Sequence, residues 1–393
     1  MIPDTHFLRG DWRYPTTIYF GPDRITELSM VCRSVGIARP LLVTDAGLAA
    51  LPIVRDAVAH NAEGGLPTGV FSDVQSNPVE RNVAGGVAAF RAGDHDGVIA
   101  MGGGSAMDTG KVVALMAGQE GGLWDYTGKW QQIPPDTIAP IVAVPTTAGT
   151  GSEVGRAAVI THEATQVKTI ILHPGMMPRA VVADPTLTLG LPPAMTAATG
   201  MDALAHSLEA FCAPFHHPMA DGIALEGMRL VHDWLPEAVR DGANLTARAH
   251  MMAAATMGAV AFQKGLGAIH ALSHPVGAVY NTHHGRTNAV FMPYVLAFNR
   301  PAIEDKMARL ARYLGLPAPG FDAVLRWILD LRSTLDIPHT LRDLGVPDDR
   351  LDDLAAMAAA DPCAPENPIS IGETELKRLF RDAFDGRLAI GEG

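Results

Sequence analysis

The sequence predicts a doubly wound α/β domain followed by a domain built only of helices. Short apolar runs alternate with amphipathic stretches in the first half of the chain, as in β-α-β folds. Strand-like runs nearly vanish after that point, and long stretches rich in Ala, Met and Leu with a 3.6-residue period follow. The change falls at the proline-rich segment 184–193, so we expect one domain over residues 1–190 and a second over 191–393.

Three apolar runs of the first half predict buried parallel strands: Pro40–Thr44, Gly97–Met101 and Ile138–Val144. They are apolar on both faces, which is typical of a parallel sheet covered by helices on each side. A helix is predicted over Ser105–Met116, directly after the second strand. Doubly wound sheets bind ligands beyond the carboxyl ends of their strands. Each of these runs leads into a turn of Gly, Thr or Asp, so we expect a ligand there.

The second half predicts six helices. The periodic stretches are 194–212, 218–240, 245–261, 266–279, 302–314 and 321–335. The stretch Gly118–Asp136 contains two consecutive prolines and is predicted to be a long connecting loop.

Composition excludes several classes of protein. The 393 residues are 48% apolar, and 30 basic against 42 acidic side chains give a net charge of −12. Such a chain repels nucleic acid and anionic membranes. The three cysteines form no C-x-x-C pair, which favours a reducing compartment. The longest apolar run, Met251–Phe262, is short for a membrane span, and the first residues lack the pattern of a signal peptide. We therefore expect a soluble, cytoplasmic protein.

Two glycine-rich loops follow predicted strands. The first, Gly102–Lys111, places three glycines before a helix, where backbone N–H groups can bind a phosphate. It lacks the spacing of a Walker A loop. The second, Pro145–Glu153, holds four hydroxyl side chains and two glycines, a dense set of donors for a pyrophosphate or a ribose. Taken alone, either loop could also be purely structural.

A carboxylate and several imidazoles recur at helical spacing in the second half. Asp202 and His206 stand four residues apart, His270 and His274 repeat that spacing, and the pair His283–His284 follows. A single buried histidine is commonly part of a packed core. The whole set, placed in Ala- and Met-rich helices, favours a metal site, and His with Asp suits Zn²⁺ or Fe²⁺.

Taken in order, the motifs GGGS-x-x-D-x-x-K, PTTAGTGSE, GMDALAH and GLGAIHALSHPVGA, followed by HHG, closely resemble the iron-containing (group III) alcohol dehydrogenase family. The resemblance runs from the first predicted strand to Asn367-Pro368. It implies an α/β N-terminal Rossmann-like domain plus an all-α C-terminal domain, the dehydroquinate synthase-like fold, with a metal in the cleft between them.

The resemblance also implies the roles of the site residues. The metal, Fe²⁺ with Zn²⁺ as the alternative, would be held by Asp202, His206, His270 and His284. His284 is preferred to His283 because it stands ten residues after His274. His274 itself matches the family's second histidine, near substrate and nicotinamide.

The cofactor implied is NAD. The residues matched to its binding are Asp45, Asn77, Gly103, Gly104, Ser105, Asp108, Thr146, Thr147, Thr150, Ser152 and Lys168, the last preceding a strand. The carboxylate of Asp45 would hydrogen-bond a ribose 2′-hydroxyl and repel a 2′-phosphate, which favours NAD over NADP.

One segment departs from the family pattern. AFQKG stands at 261–265 in place of the commoner AFNNAG and introduces Lys264. Phe262, Lys264 and Arg156 are therefore tentative substrate residues, the two cations being able to attract a carboxylate. Both cations could equally be structural.

The main functional hypothesis is reversible oxidation of a small primary alcohol to its aldehyde by a homodimer or larger homo-oligomer. A dehydrogenase for ω-hydroxy acids such as 4-hydroxybutyrate is the alternative suggested by the two cations. A metal-dependent lyase resembling dehydroquinate synthase and a non-catalytic nucleotide-binding protein are further alternatives.

Overall fold

The computed structural model describes residues 14, 16–165 and 167–388. They divide into two compact units, one over Tyr14–Gly190 and one that begins at Leu191. The first unit is built on a parallel sheet and the second is helical. The predicted fold class is therefore confirmed.

The N-terminal unit contains a six-stranded parallel sheet in the order β1-β8-β5-β4-β2-β3. Its strands are β1 Thr17–Phe20, β2 Pro40–Val43, β3 Gly69–Phe71, β4 Gly97–Gly102, β5 Ile141–Pro145 and β8 Ala180–Ala183. The strand β4 pairs with β2 on one side and β5 on the other. These central strands are buried throughout because helices cover the sheet. All three predicted strands are present, with β5 beginning three residues later than expected.

Five helices of this unit connect the strands: α1 Leu28–Ser34, α2 Ala46–Ala49, α3 Pro52–Glu63, α4 Glu80–Ala92 and α5 Gly104–Met116. One core cluster packs Leu28 of α1 against Ile99 and Val142 of the sheet. Another packs Val83 of α4 against Val112 of α5. The helix α5 starts directly after β4, which places its N-terminus at the carboxyl edge of the sheet.

An antiparallel hairpin of β6 Ala157–His162 and β7 Val167–Leu172 extends this unit and was not predicted. Lys168 lies within β7, opposite Thr161. Lys168 was expected to precede a strand, and this expectation was wrong because the residue lies inside one. The predicted loop Gly118–Asp136 holds short 3₁₀ turns, such as Leu123–Tyr126.

The second unit consists of eight α-helices in the described range. They are α6 Pro193–Cys212, α7 Pro218–Arg240, α8 Leu245–Ala261, α9 Ala268–Tyr280, α10 His284–Tyr313, α11 Phe321–Thr334, α12 Leu351–Ala359 and α13 Glu373–Asp385. Five match predicted helices, and the predicted 302–314 is the second half of α10. The sequence analysis missed α12 and α13. Among the residues described, no helix is long and apolar enough to cross a membrane.

Candidate active site

The helix α6 supplies the first two donors of a buried polar cluster. Its alanines favour helix formation, and the helix begins at a proline in its first turn. Asp202 and His206 lie one helical turn apart on the same face, as the i, i+4 spacing predicts. Both are buried, with 6% and 5% of their surface exposed. The Asp202 Oδ1 lies 3.8 Å from the His206 Nε2.

The helices α9 and α10 bring imidazoles to the same place. His270, in the first turn of α9, stacks on His206 with a centroid distance of 4.9 Å and an angle of 15°. Asn281, in the left-handed conformation, ends α9, and α10 begins only three residues later at His284. The His284 Nε2 lies 3.6 Å from the Asp202 Oδ1. The turn thus places the His284 imidazole beside the Asp202 carboxylate.

A close helix–helix approach makes this arrangement possible. Gly285, the second residue of α10, lies against the backbone of Ala198 in α6. A Cβ atom at this position would come within 2.0 Å of the Ala198 carbonyl oxygen. Only a glycine therefore allows the first turn of α10 to pack against α6 beside Asp202.

The donor set fits a divalent metal ion. Asp202, His206 and His270 each offer one ligand atom, all within 4.8 Å of one another. Tetrahedral ligands bound at about 2.0–2.2 Å are separated by about 3.4 Å, close to the spacings found for Asp202 with His206 and with His284. One carboxylate with imidazoles suits Zn²⁺ or Fe²⁺.

Asn288 of α10 joins the cluster and was not predicted. Its Nδ2 donates to the Asp202 Oδ1 at 2.8 Å, and it lies 3.3 Å from the His270 Nε2 and 3.1 Å from the His284 Nε2. The Asn288 Oδ1 is buried and accepts no hydrogen bond within the part of the chain that the structure describes. A buried acceptor of this kind marks a polar centre whose partner set is incomplete. The sequence signal that could have identified Asn288 is its position four residues after His284, one helical turn along the same face.

His274 belongs to a second polar group beside the first. Its Nδ1 lies 2.8 Å from the Asp361 Oδ2, and its ring stacks on His284 with an angle of 12°. The Asp361 Oδ1 accepts from the backbone N–H of Cys363. Burial raises the pKa of Asp361, but the hydrogen bond and charge of His274 and the hydrogen bonds from Cys363 together outweigh it, so the pKa lies below its ordinary value. Asp361 is therefore an anion that orients His274.

His274, Asp361 and Cys363 also lie within reach of a common ion. Burial, followed by the Asp361 carboxylate, raises the pKa of the Cys363 thiol well above its ordinary value. A thiol that keeps its proton is a poor metal ligand. The first group is therefore the better metal candidate.

The segment after α8 contains two of the tentative substrate residues, Phe262 and Lys264. Phe262 packs the edge of its ring on His206, with centroids 5.1 Å apart. Lys264 instead donates to the Asp221 Oδ1 at 2.5 Å and the Phe211 carbonyl at 3.2 Å, and is only 4% exposed. The Lys264 ammonium is therefore buried and paired within the helical unit, which favours the structural one of its two predicted roles.

In the N-terminal unit, the two glycine-rich loops lie against each other at the carboxyl edge of the sheet. A Cβ at Gly103 would lie 3.3 Å from Thr147, and one at Gly104 would lie 3.1 Å from Thr150. The Thr146 N–H donates to the Gly102 carbonyl. Gly102 has a φ of 146°, which few other residues adopt. The loops together expose backbone at the start of α5, where Ser105 is partly buried.

Asp45 and Asn77 occupy turns in this unit. The Asp45 Oδ1 caps α2 by accepting from the Leu48 N–H at 2.9 Å. The Asp45 Oδ2 lies 3.9 Å from the position that a Cβ atom would occupy at Gly102. Asn77 has a φ of 52° in a turn before a proline. Arg156 is partly buried just before β6.

Ser152 and Asp108 form a buried hydrogen-bonded network with Lys111. The Lys111 Nζ donates to the Ser152 Oγ at 2.6 Å and the Ala157 carbonyl at 2.8 Å. The Ser152 Oγ donates to the Asp108 Oδ1 at 2.6 Å, and the Val159 N–H to its Oδ2 at 2.9 Å. These side chains therefore bind α5 to the second loop and to β6. Their predicted contact with the cofactor stays a prediction, and the hydrogen bonds present give both side chains a structural role.

Two family models cover most of the chain. Residues 15–185 match the iron-containing alcohol dehydrogenase model, and residues 196–384 match the C-terminal domain of the Fe-containing alcohol dehydrogenase family. The chain belongs to the iron-containing alcohol dehydrogenase family. It is thus an oxidoreductase, and the lyase and the non-catalytic alternatives are set aside.

Relatives of this alcohol dehydrogenase match over nearly all of its length. It is 41% identical to a 4-hydroxybutyrate dehydrogenase of Cupriavidus necator, covering 94% of this chain and 99% of the relative. It is 38% identical to a 1,3-propanediol dehydrogenase of Citrobacter freundii, covering 95% and 98%. The solved structure of a 1,3-propanediol oxidoreductase superposes with a TM-score of 0.92 at 37% identity, covering 96% and 100%.

The buried network of Lys111, Ser152 and Asp108 predicts that the free energy of unfolding depends on pH. Burial lowers the pKa of Lys111 from 10.5 to about 8 in the folded dehydrogenase. Between these values the unfolded chain holds a proton that the folded chain lacks, so this group makes stability rise with pH. Relative to Lys111→Met, the wild-type free energy of unfolding should rise by up to about 3 kcal/mol across that window. Urea unfolding at several pH values measures it. The exposed Lys129→Met is the matched control, and a flat difference for Lys111→Met would refute the burial argument.

The contact at Gly285 predicts a sharp steric effect. Gly285→Ala places a methyl group against the Ala198 carbonyl, so the free energy of unfolding should fall by about 2 kcal/mol or more. Gly222→Ala is the control, since a Cβ there meets nothing within 4 Å and α7 should become slightly more stable. Thermal unfolding of both variants measures the difference. Equal melting temperatures for Gly285→Ala and wild type would contradict the close approach.

Proposed function

We propose that this dehydrogenase reversibly oxidises a small primary alcohol to its aldehyde with NAD and a bound divalent metal. The observation that carries the proposal is the buried donor set of Asp202, His206 and His270, with His284 against it. Burying one carboxylate among several imidazoles is costly unless a ligand satisfies them. The family to which the chain belongs is described as iron-containing, which supports the same reading.

Asp202, His206, His270 and His284 would hold the metal. The metal would acidify the alcohol and polarise the aldehyde, while the nicotinamide exchanges hydride. Asn288, which donates to Asp202, fixes the orientation of that carboxylate. Fe²⁺ is proposed in line with the family, and Zn²⁺ fits the same donors.

His274 would handle the proton of the substrate. When its Nδ1 donates to Asp361, its Nε2 carries a lone pair. During oxidation that nitrogen would accept the hydroxyl proton of the alcohol, and in the reverse direction it would return the proton to the oxygen. Asp361 keeps the ring in this tautomer. The stacking of His274 on His284 supports a role beside the metal ligands.

NAD would bind at the two glycine-rich loops. Gly103, Gly104 and Ser105 would offer backbone N–H groups to the pyrophosphate, with Thr146, Thr147 and Thr150 beside them. Asp45, Asn77 and Lys168 remain proposed contacts in the same unit. The carboxylate of Asp45 would favour NAD over NADP. A sulfoacetaldehyde reductase of Bifidobacterium kashiwanohense, solved with NAD⁺, is 30% identical with a TM-score of 0.88 and supports this cofactor.

The substrate is proposed to be uncharged, of the 1,3-propanediol type. Lys264, which could have attracted a carboxylate, is neutralised by Asp221. Phe262, packed on His206, would give the substrate an apolar contact. The second candidate is an ω-hydroxy acid, because a relative at 41% identity is a 4-hydroxybutyrate dehydrogenase. In that case Arg156, the other tentative substrate cation, would attract the carboxylate.

We further propose a cytoplasmic homodimer or larger homo-oligomer. The three cysteines are buried and form no disulfide within the described residues, which supports a reducing compartment. In the described part of the sheet β1 is an edge strand, and its Phe20 is 44% exposed. An exposed edge of this kind invites pairing with a second copy.

Anaerobic reconstitution followed by an NADH assay tests the proposal. The chelated protein should be inactive, and Fe²⁺ or Zn²⁺ should restore activity. The kcat/KM for 1,3-propanediol should exceed that for 4-hydroxybutyrate by about tenfold or more, equivalent to about 1.4 kcal/mol. NAD should be preferred to NADP by a similar factor.

Two outcomes would overturn parts of the proposal. Full activity after complete chelation would refute the metal site. Preference for 4-hydroxybutyrate, abolished by Arg156→Ala and kept by the matched Arg179→Ala, would establish the ω-hydroxy acid alternative.

A further inference from the structure

Glu209 lies on α6, one turn after His206, and bridges two groups of α9. It is buried, with 5% of its surface exposed. Its Oε1 accepts from the backbone N–H of Ile269 at 2.7 Å. Its Oε2 lies 2.5 Å from the Nδ1 of His270. One carboxylate therefore contacts both the start of α9 and the imidazole next to that backbone group.

The contact decides which nitrogen of His270 carries the proton. A carboxylate only accepts hydrogen bonds, so the Nδ1 must be the donor. In the neutral ring the Nε2 then carries the lone pair. The Nε2 is the nitrogen on the side of the proposed metal site, since the Asn288 Nδ2 lies 3.3 Å from it. The proton is thus kept on the nitrogen that points away from the other donors.

We propose that Glu209 is a positioning residue that holds His270 in the Nδ1–H tautomer, with its Nε2 ready to bind the metal. This rests on the proposed metal function. Carboxylates that orient a ligating histidine in this way commonly raise metal affinity 10- to 100-fold. Because the same carboxylate accepts from Ile269, the imidazole is fixed relative to the helix that carries it.

Capping of α9 alone does not account for Glu209. The start of α9 has two other side-chain acceptors close by. The Glu366 Oε2 accepts from the Leu266 N–H at 2.8 Å, and the Asn367 Oδ1 accepts from the Ala268 N–H at 3.2 Å. Glu366 therefore offers a matched control, a carboxylate that caps the same segment through a backbone group.

The test compares Glu209→Gln with Glu366→Gln. A glutamine at 209 can still accept from Ile269 through its amide oxygen, but its NH₂ group then faces the Nδ1 of His270. The ring must accept there and move its proton to the Nε2, which cannot then ligate. Competition with a chelator should show Zn²⁺ and Co²⁺ affinity about 10- to 100-fold weaker in Glu209→Gln and unchanged in Glu366→Gln. Glu209→Asp, which keeps the acceptor, should recover part of the affinity.

The tautomer can also be observed without any metal. In the metal-free protein labelled with ¹⁵N-histidine, at alkaline pH, His270 should show the Nδ1–H form in the wild type and in Glu366→Gln. In Glu209→Gln it should show the Nε2–H form. This measurement separates the two ideas, since a wild type with the expected tautomer that binds no metal would refute only the proposed metal function.

Two results would overturn the positioning role. One is wild-type metal affinity in Glu209→Gln. The other is an unchanged His270 tautomer in that variant. If Glu209→Gln fails to fold, Glu209→Asp takes its place: the shorter carboxylate should weaken metal binding partially, and affinity equal to wild type would contradict the proposal.

Discussion

The site of this dehydrogenase depends on one steric constraint, the contact between the start of α10 and the middle of α6. Gly285 leaves no room for a side chain above the Ala198 carbonyl, and a Cβ there would also lie 3.0 Å from the Asp202 Cβ. This approach sets His284 and Asn288, residues of the first two turns of α10, against Asp202 of α6. Without it the polar residues of the two helices would be separated by a layer of side chains.

A second constraint follows from burial. Helices rich in Ala and Met provide few polar partners, so each polar group placed among them must find one in another buried side chain. In the structure these polar groups form hydrogen-bonded pairs: Glu209 with His270, Asp361 with His274, and Asn288 with Asp202. Each pair fixes a tautomer or an orientation. The same burial that makes the cluster costly therefore makes its geometry definite.

Local pattern was sufficient for the three central strands β2, β4 and β5, for α5 and for most of the long helices of the second unit, because their apolar residues repeat at the period of the element. It also placed Asp202 with His206, since an i, i+4 pair on a helix is adjacent whatever the tertiary fold. Glu209 and Asp361 were not predicted, because their partners lie 61 and 87 residues away in the chain. Such pairing depends on how helices pack, which spacing alone does not reveal.

Packing between distant residues also decides how the polar side chains of the predicted motifs are used. Lys264 and Ser152 carry polar groups next to functional motifs, but each is neutralised or bound by a residue distant in sequence, Asp221 and Asp108. A short sequence pattern cannot distinguish a side chain that faces a ligand from one that holds two elements together. The family resemblance identifies the motif. Only the packing shows which of its side chains are engaged with other parts of the protein and which can face a ligand.

The most direct test of the metal centre is anomalous diffraction from crystals of the reconstituted enzyme, recorded at the iron and zinc absorption edges. A single peak is expected about 2.0–2.2 Å from donor atoms of Asp202, His206, His270 and His284. A peak at His274, Asp361 and Cys363, or no peak at either group in crystals that contain the metal, would contradict this expectation.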